Sequence, residues 1–369
     1  MNSKNKIKDI LDIAGISING NQPWDIKVHD DKFYDRVLGG GTLAVGESYM
    51  DGWWDVDALD QFFYKIFRAE LWKYAVTPST ILQSFVARIF NFQNKSRASQ
   101  VIDRHYDIGN TLYEYMLGPT MAYTCGYWKL AQDLDSAQYD KFDLVCRKMH
   151  LKSGMRILDV GCGWGGFMKF AVEKYGIEAV GVTLSKEQIN FGRKLCAGLP
   201  IEFRHMDYRD MEGKFDHVIS IGICEAVGPK NYKMLIQIVK KCLKDDGLFL
   251  LHTIGHNVSV NVGDPWIDKY IFPNGIAPSL SQIMEATEGV LVLEDLHNFG
   301  PDYDLTLMAW FKNFDNNWPN LKNDYDQRFY RMWKFYLLSC AGLFRARNMQ
   351  LWQFVFSKNG LDGGYESVR

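Results

Sequence analysis

Met155-Arg156-Ile157-Leu158-Asp159-Val160-Gly161-Cys162-Gly163-Trp164-Gly165-Gly166-Phe167 decides the fold of this chain. An apolar strand runs through Asp159 into four glycines within six positions, and the helical pattern Phe167-Met168-Lys169-Phe170-Ala171-Val172 follows. The unit is strand, glycine loop, helix. Glycines let a backbone turn sharply and approach a ligand closely, and a helix N-terminus offers N–H groups with no partner in the helix. Many ligands suit such a loop. Asp159 narrows the choice, because a carboxylate there would repel a pyrophosphate and suits a cationic ligand. The loop also lacks the Gly-Lys-Ser/Thr ending of a phosphate-binding loop. S-adenosylmethionine carries an ammonium, a sulfonium and no phosphate, and it fits best. A dinucleotide site, or a turn with no ligand, is the other reading of this segment.

The pattern that follows repeats strand and helix. Strands are expected at Ile177–Val182, Ile201–His205, Phe215–Ile221 and Leu248–His252. Helices are expected from Ser185, a plausible N-cap, and over Tyr232–Leu243. Such alternation implies an α/β fold, a doubly wound and mostly parallel sheet of Rossmann-like type. Ligands bind such sheets at the carboxyl ends of the strands. The residues to inspect there are Asp159, Gly161 and Gly163, then Thr183 and Gln188, then Asp207-Tyr208-Arg209, then Gly222 and Glu225. Thr183 stands where an acid often binds the ribose, so Gln188 is the candidate hydroxyl partner. Tyr208 and Arg209 could bracket an adenine. Glu225 lies in a mainly apolar run, where a carboxylate is costly unless paired or functional. His252 ends its strand facing the same crevice.

Length and composition bound the rest. The 369 residues, 47% hydrophobic and 23% charged, suit a soluble protein of two domains. A net charge of −2 argues against a nucleic-acid binder. The 7 cysteines form no CxxC pair and follow no signal peptide, which suggests free thiols, a reducing cytosol and no metal site. No apolar run of about 18 residues is present to span a membrane.

The first 92 residues read as a smaller, mainly helical domain, residues 93–99 as a linker, and 100–369 as the α/β domain. Helices are expected over Lys4–Ala14, Ala58–Tyr74 and from Ser79 to about Asn91. Gly39-Gly40-Gly41 should exclude helix interior, and Val45–Trp54 reads as a turn with aromatic packing. Between Gln61 and Arg104 the bases Lys65, Arg68, Lys73, Arg88, Lys95, Arg97 and Arg104 outnumber the acids Glu70 and Asp103. Aromatic residues interleave with them. An anionic membrane surface would suit this segment, and an ordinary helical face packed on the second domain is the alternative. Two segments, His105–Trp128 and Tyr270–Gly275, are placed to cap the cofactor and the substrate. Cys125 has no basic neighbour in the sequence that would make it a nucleophile.

His105–Asn110, Tyr123–Trp128, Leu158–Gly166, Gly181–Gln188, Asp207–Asp210, Glu225–Tyr232, Leu251–Gly255, Asp264–Gly275, Tyr303–Trp310 and Cys340–Gln353 closely resemble the bacterial cyclopropane fatty acid synthases. The resemblance runs from about residue 100 to the C-terminus. It implies a class I S-adenosylmethionine-dependent methyltransferase fold and a substrate alkene in a phospholipid acyl chain. It further implies a bound bicarbonate ion as proton acceptor, held by Glu225, His252, Tyr303 and the backbones of Cys125 and Ile254. Cofactor contacts would fall on Tyr123, Thr124, Gly161, Gly163, Thr183, Gln188, Tyr208 and Arg209, with Asp159 beneath the loop. A peripheral position on the inner face of the membrane and a homodimer are also implied. One departure is Glu225-Ala226-Val227-Gly228, where the family carries His after the glutamate. That change would loosen support of the base site. The rival readings are a related methyltransferase giving methyl-branched, hydroxylated or N-methylated products, and a lipid-binding protein that has kept only the fold.

Overall fold

Two compact units divide the chain; the first stretch ends at Phe90, beside the expected boundary near residue 92, but two later segments join it. One comprises Met1–Phe90, Asn261–Pro273 and Tyr303–Met349, and the other Asn91–Val260, Asn274–Asp302 and Gln350–Arg369. The computed structural model describes residues 2–75, 91, 93 and 109–369. The helix expected from Ser79, linker residues 94–99 and motif residues 105–108 lie outside the described residues. So do Arg88, Lys95, Arg97 and Arg104.

In the first unit the helix Ser3–Ile13 is capped by Asn2, whose side chain accepts from the Lys4 amide at 3.1 Å. The helix Lys32–Met50 runs up to the three glycines, breaks at Gly41 (φ 57°, ψ −144°) and resumes. The glycines therefore mark a kink, and Val45–Met50 is helix where a turn was expected. Gly46 explains the difference, since a Cβ there would fall 2.3 Å from the Trp266 ring. The short strands β1 (Lys27–Val28) and β2 (Trp54–Asp55) pair antiparallel. Trp54, fully buried, packs on Tyr49, Phe62 and Phe335.

The helix Leu59–Arg68 stops short of the expected Tyr74, because Glu70 turns at φ +55° before the 3₁₀ segment Leu71–Ala75. Its Phe62 and Phe63 are buried, and Phe63 meets Phe335 of the helix Gln327–Arg345 at 5.1 Å between ring centroids. A Cβ at Gly342 would lie 2.6 Å from the Asp60 carbonyl, so the two helices touch closely through that glycine. Arg345 ties them with bonds to Asp60 (2.6 Å) and Asp304 (2.8 and 2.9 Å). A boundary read along the chain cannot show this, because these late segments complete a core begun by the early ones.

The second unit holds a seven-stranded sheet. Its strands are β3 (Arg156–Val160), β4 (Glu178–Thr183), β5 (Ile201–His205), β6 (Phe215–Ile221), β7 (Leu243–His256), β8 (Val292–Asn298) and β9 (Met349–Ser357), in the order β5-β4-β3-β6-β7-β9-β8. β3 to β7 pair in parallel, and β8 pairs antiparallel with β9. β7 extends beyond the expected Leu248–His252 at both ends. Side chains alternate between two cores: Leu158, Val160, Val180 and Val182 face one, Ile157, Ala179, Ile219 and Leu250 the other. Helices cover both faces, which is why these strands read as near-continuous apolar runs. The chain leaves β3 for β4 and β5 on one side, then crosses to β6 and β7 on the other. That reversal beside β3 opens the crevice in which such sheets bind ligands.

Candidate active site

Gly161, Gly163 and Gly165 take positive φ (82°, 54° and 88°), and Gly165 caps the helix Gly166–Tyr175. The Gly161 and Cys162 amides both donate to Val182 O, at 2.9 and 3.2 Å, and this fixes the loop to the end of β4. Added Cβ atoms separate the glycines by task. At Gly166 it would lie 1.9 Å from Thr120 O and at Gly161 3.1 Å from Ile223, whereas at Gly163 it meets nothing within 4 Å among the described residues. Gly163 thus leaves backbone open to a ligand, and the other two permit close packing. Asp159 sits within β3, 3% exposed, below the loop. Burial lifts its pKa to about 7 against the opposing charge of Lys141.

At the end of β4, Thr183 donates to Gln188 Oε1 at 2.8 Å and accepts from the Ser185 amide. Ser185 caps the helix Lys186–Leu195 through the Gln188 amide, as expected. Thr183 therefore orients Gln188. After β5, Arg209 donates to Asp207 Oδ2 and to Gln93 O, both at 2.8 Å, and lies 4.6 Å from the Tyr208 ring. Its guanidinium is a clamp on the protein itself, while the buried Tyr208 hydroxyl has no partner among the described residues.

The segment before the sheet packs on these strand ends. Tyr123 meets Tyr113 edge-on at 5.3 Å, and Tyr113 meets Trp164 of the glycine loop at 5.0 Å. Trp164 Nε1 donates to Asn110 at 3.0 Å. A Cβ at Gly222, just past β6, would lie 2.8 Å from Thr124 Cγ2. The expected cap over the strand ends is thus seen in its described part.

Glu225 is held by the end of β7, just beyond His252. Glu225 Oε1 accepts from the Ile254 amide at 2.6 Å and from the Thr253 hydroxyl at 3.1 Å. Its other oxygen, also buried, has no partner among the described residues, and burial raises the pKa of the carboxyl. His252 pairs in register with Ile221. The Gln353 amide nitrogen lies 3.1 Å from its Nδ1. An amide nitrogen only donates, so Nδ1 accepts and the proton rests on Nε2. Nε2 is buried with no partner among the described residues. Burial, then Lys141 and Lys148, hold His252 neutral, its pKa well below the usual value. Glu225 Oε2, His252 Nε2 and Gln353 Oε1 are thus buried with no partner among the described residues, and one of them is an N–H donor.

The Ile254 amide serves Glu225, and its carbonyl, 3.0 Å from the Thr253 hydroxyl, competes with Glu225 for that hydroxyl's single hydrogen. Cys125 is fully buried, and its thiol donates to Gly126 O at 3.1 Å. Tyr303 belongs to the first unit, where its ring packs on Phe344 at 4.5 Å and Trp310 at 5.9 Å.

The mycolic acid cyclopropane synthetase family matches residues 93–354. The chain belongs to this family. It is 49% identical over 363 residues to the cyclopropane-fatty-acyl-phospholipid synthase of Escherichia coli strain K12, an alignment covering 98% of this chain and 94% of that protein. A probable fatty acid methyltransferase of Pseudomonas putida is 36% identical over 287 residues, 74% of this chain and 73% of its own. Among solved structures, a mycolic acid cyclopropane synthase complexed with SAH and CTAB superposes with a TM-score of 0.66 at 30% identity, covering 70% of this chain and 98% of that one.

Against that family the Glu225-Ala226 departure has a simple outcome. Ala226 is exposed, and the bonds that orient Glu225 come from Thr253 and Ile254. The expected loosening of the base site therefore has no counterpart in this geometry. Sequence reasoning also missed several buried polar residues around these strand ends. Gln138, Lys141 and Lys148 lie buried on the helix Leu134–Lys148, and Gln353 reaches His252 from β9. Lys141 acts electrostatically on Cys125, supplying the basic neighbour that the sequence did not show. The signal was there for the helix: Gln138, Lys141 and Lys148 share one face with Leu134, Ala137, Leu144 and Val145. Polar residues on an apolar stripe need partners.

Proposed function

We propose that this chain transfers the methyl carbon of S-adenosylmethionine to the cis double bond of an unsaturated acyl chain in a phospholipid and closes a cyclopropane ring. The carrying observations are two buried atoms with no partner among the described residues, Glu225 Oε2 just past β6 and His252 Nε2 on β7, in the sheet whose β3 feeds the glycine loop. The name of the Escherichia coli relative supports the same substrate. S-adenosylmethionine supplies an electrophilic methyl to the alkene, leaving S-adenosylhomocysteine and a carbocation that closes the ring on losing a proton from the transferred carbon.

The residues present fit a small oxyanion such as bicarbonate, which would accept that proton. His252 Nε2–H donates, and the raised Glu225 carboxyl can carry a proton on Oε2. Lys141 and Lys148 add positive potential at His252. Within this unit the Cys125 backbone would add to the ligand set. On the donor side, Gly161 and Gly163 would admit the cofactor backbone-first. Asp159, Tyr123 and Thr124 would meet its amino-acid end, Gln188, oriented by Thr183, its ribose, and Tyr208, backed by Arg209, its adenine. The apolar and aromatic surroundings exclude water, which would otherwise trap the cation as an alcohol.

A phospholipid substrate calls for a membrane surface. No helix among the described residues is long and apolar enough to cross one. In the first unit, Trp72 and Tyr74 are 41% and 62% exposed beside the exposed Arg68 and Lys73. Lys73 pairs with Glu70, and Lys65 is engaged by Ala14 O, so Arg68 is the more available cation. We read this patch as the peripheral contact with the inner membrane face. Phe62 and Phe63 belong to the unit's own core and cannot serve it. Homodimerisation is carried over from the family as part of this proposal. Charge reversal at Arg68 and Lys73 should weaken binding to anionic vesicles by about 1 kcal/mol per charge. Unchanged binding would remove the patch from the proposal.

The deciding experiment incubates the protein with S-adenosylmethionine and vesicles rich in cis-monounsaturated phospholipid, then weighs the acyl chains. A gain of one CH₂ with loss of the alkene is expected. Added oxygen, or a branch with the alkene retained, would favour a related methyltransferase.

A further inference from the structure

We propose that Lys141 is a positioning residue for the methyl donor: its ammonium holds the Thr124 hydroxyl so that the hydroxyl hydrogen is presented to the donor's α-carboxylate. The inference rests on S-adenosylmethionine being the donor.

Lys141 is 0% exposed, and its Nζ lies 2.8 Å from Thr124 Oγ1. One turn earlier, Gln138 Nε2 donates to Thr124 O, also at 2.8 Å. A single helix therefore fixes both the backbone and the side chain of Thr124. The rotamer is set from the other side as well, because Thr124 Cγ2 fills the space beside Gly222 at the end of β6. An ammonium has donors and no acceptor, so Thr124 Oγ1 accepts from it. The hydroxyl's own hydrogen must then point away from Lys141.

A lysine this deep is costly unless opposed by charge or used. Asp159 opposes it from the strand that feeds the glycine loop, and burial still brings its pKa down to about 7. Lys141 thus connects the cap segment to the loop strand. The partner sought by a hydroxyl hydrogen beside a buried cation is an anionic acceptor. S-adenosylmethionine has one, its carboxylate. Its ribose and adenine are drawn to β4 and β5, where Gln188 and Tyr208 stand, which leaves the amino-acid end near β3 and β6.

The test is calorimetric titration of two probes, S-adenosylhomocysteine and 5′-methylthioadenosine, which keeps the adenosine and thioether but has no amino acid. The proteins are wild type, Lys141→Met, Thr124→Val and the double variant. Each single substitution should weaken S-adenosylhomocysteine about tenfold, as expected for one hydrogen bond to a charged group. The double variant should be no weaker than the worse single one, and 5′-methylthioadenosine should bind all four alike. Equal losses for both probes would make Lys141 a general packing residue and overturn the proposal. Additive losses, or unchanged S-adenosylhomocysteine affinity, would overturn it too. Thr124→Val keeps the side-chain volume and carries the test if Lys141→Met does not fold. A wild type that binds neither probe would instead refute the donor reading, and the inference with it.

Discussion

The glycine loop and the Glu225–His252 pocket lie at the ends of neighbouring strands in one sheet, yet they are built by opposite means. The loop is made by backbone: positive-φ glycines, two amides on one carbonyl, and a Cβ-free opening at Gly163. The pocket is made by side chains and their partners, with Thr253 and Ile254 on Glu225 and Gln353 on His252. The loop recognises a ligand by shape, which needs little charge. Glu225 Oε2 and His252 Nε2 are buried with no partner among the described residues, which folding alone would not favour. A site that must bind a cofactor and hold a base can therefore fail in two separable ways.

Glu225→Gln should produce the largest effect, a loss of ring formation of roughly 10²- to 10⁴-fold, as for removal of a group that manages a proton. S-adenosylhomocysteine affinity should stay near wild type. If binding falls with activity, pocket and loop are one structure and the comparison breaks. Gln353→Leu should come next, lowering kcat about tenfold through loss of the hydrogen bond that sets the His252 tautomer. Titration with S-adenosylhomocysteine checks that the loop is untouched.

Gly161→Ala should act in the reverse sense. A Cβ at φ +82°, 3.1 Å from Ile223, should destabilise the fold by about 1–3 kcal/mol and weaken the cofactor before it alters the pocket. Thermal unfolding and titration measure both, and a normal affinity would show that the loop tolerates a side chain. The smallest effect is on pH. His252 has its folded pKa far below 6.5, so it stays neutral as pH falls through the range where an ordinary histidine gains its proton. The NMR signals of the His252 imidazole should therefore not titrate between about pH 6 and 7, where Asp159 and Lys141 can themselves shape the kcat profile. A titration of that ring there would place a charged His252 in the site.

Much of the donor half was legible beforehand. β5 and β6 fall on the expected residues, Ser185 caps its helix, and Thr183 and Gln188 meet as a pair. Each depends on residues close in sequence. The pocket was only partly legible. Glu225 and His252 stood out as polar residues in apolar strand ends, but their orienting partners did not. Arg209, expected at the cofactor, also bonds Asp207 and Gln93, partners that the sequence did not show. Trp266 and the helix Gln327–Arg345, read as parts of the α/β domain, complete the core of the first unit.

By itself, then, the sequence determined the strand–glycine–helix unit, the alternation that makes the sheet, and the residue types standing at its carboxyl edge. These follow from backbone conformation and periodicity, which each residue shares with its near neighbours. Tertiary structure alone decided that Lys141 is buried on Thr124, that Gln353 sits on His252, and that one oxygen of Glu225 has no partner among the described residues. Desolvation and hydrogen-bond partnership depend on which distant residue arrives beside a group, and nothing in the local pattern specifies that arrival.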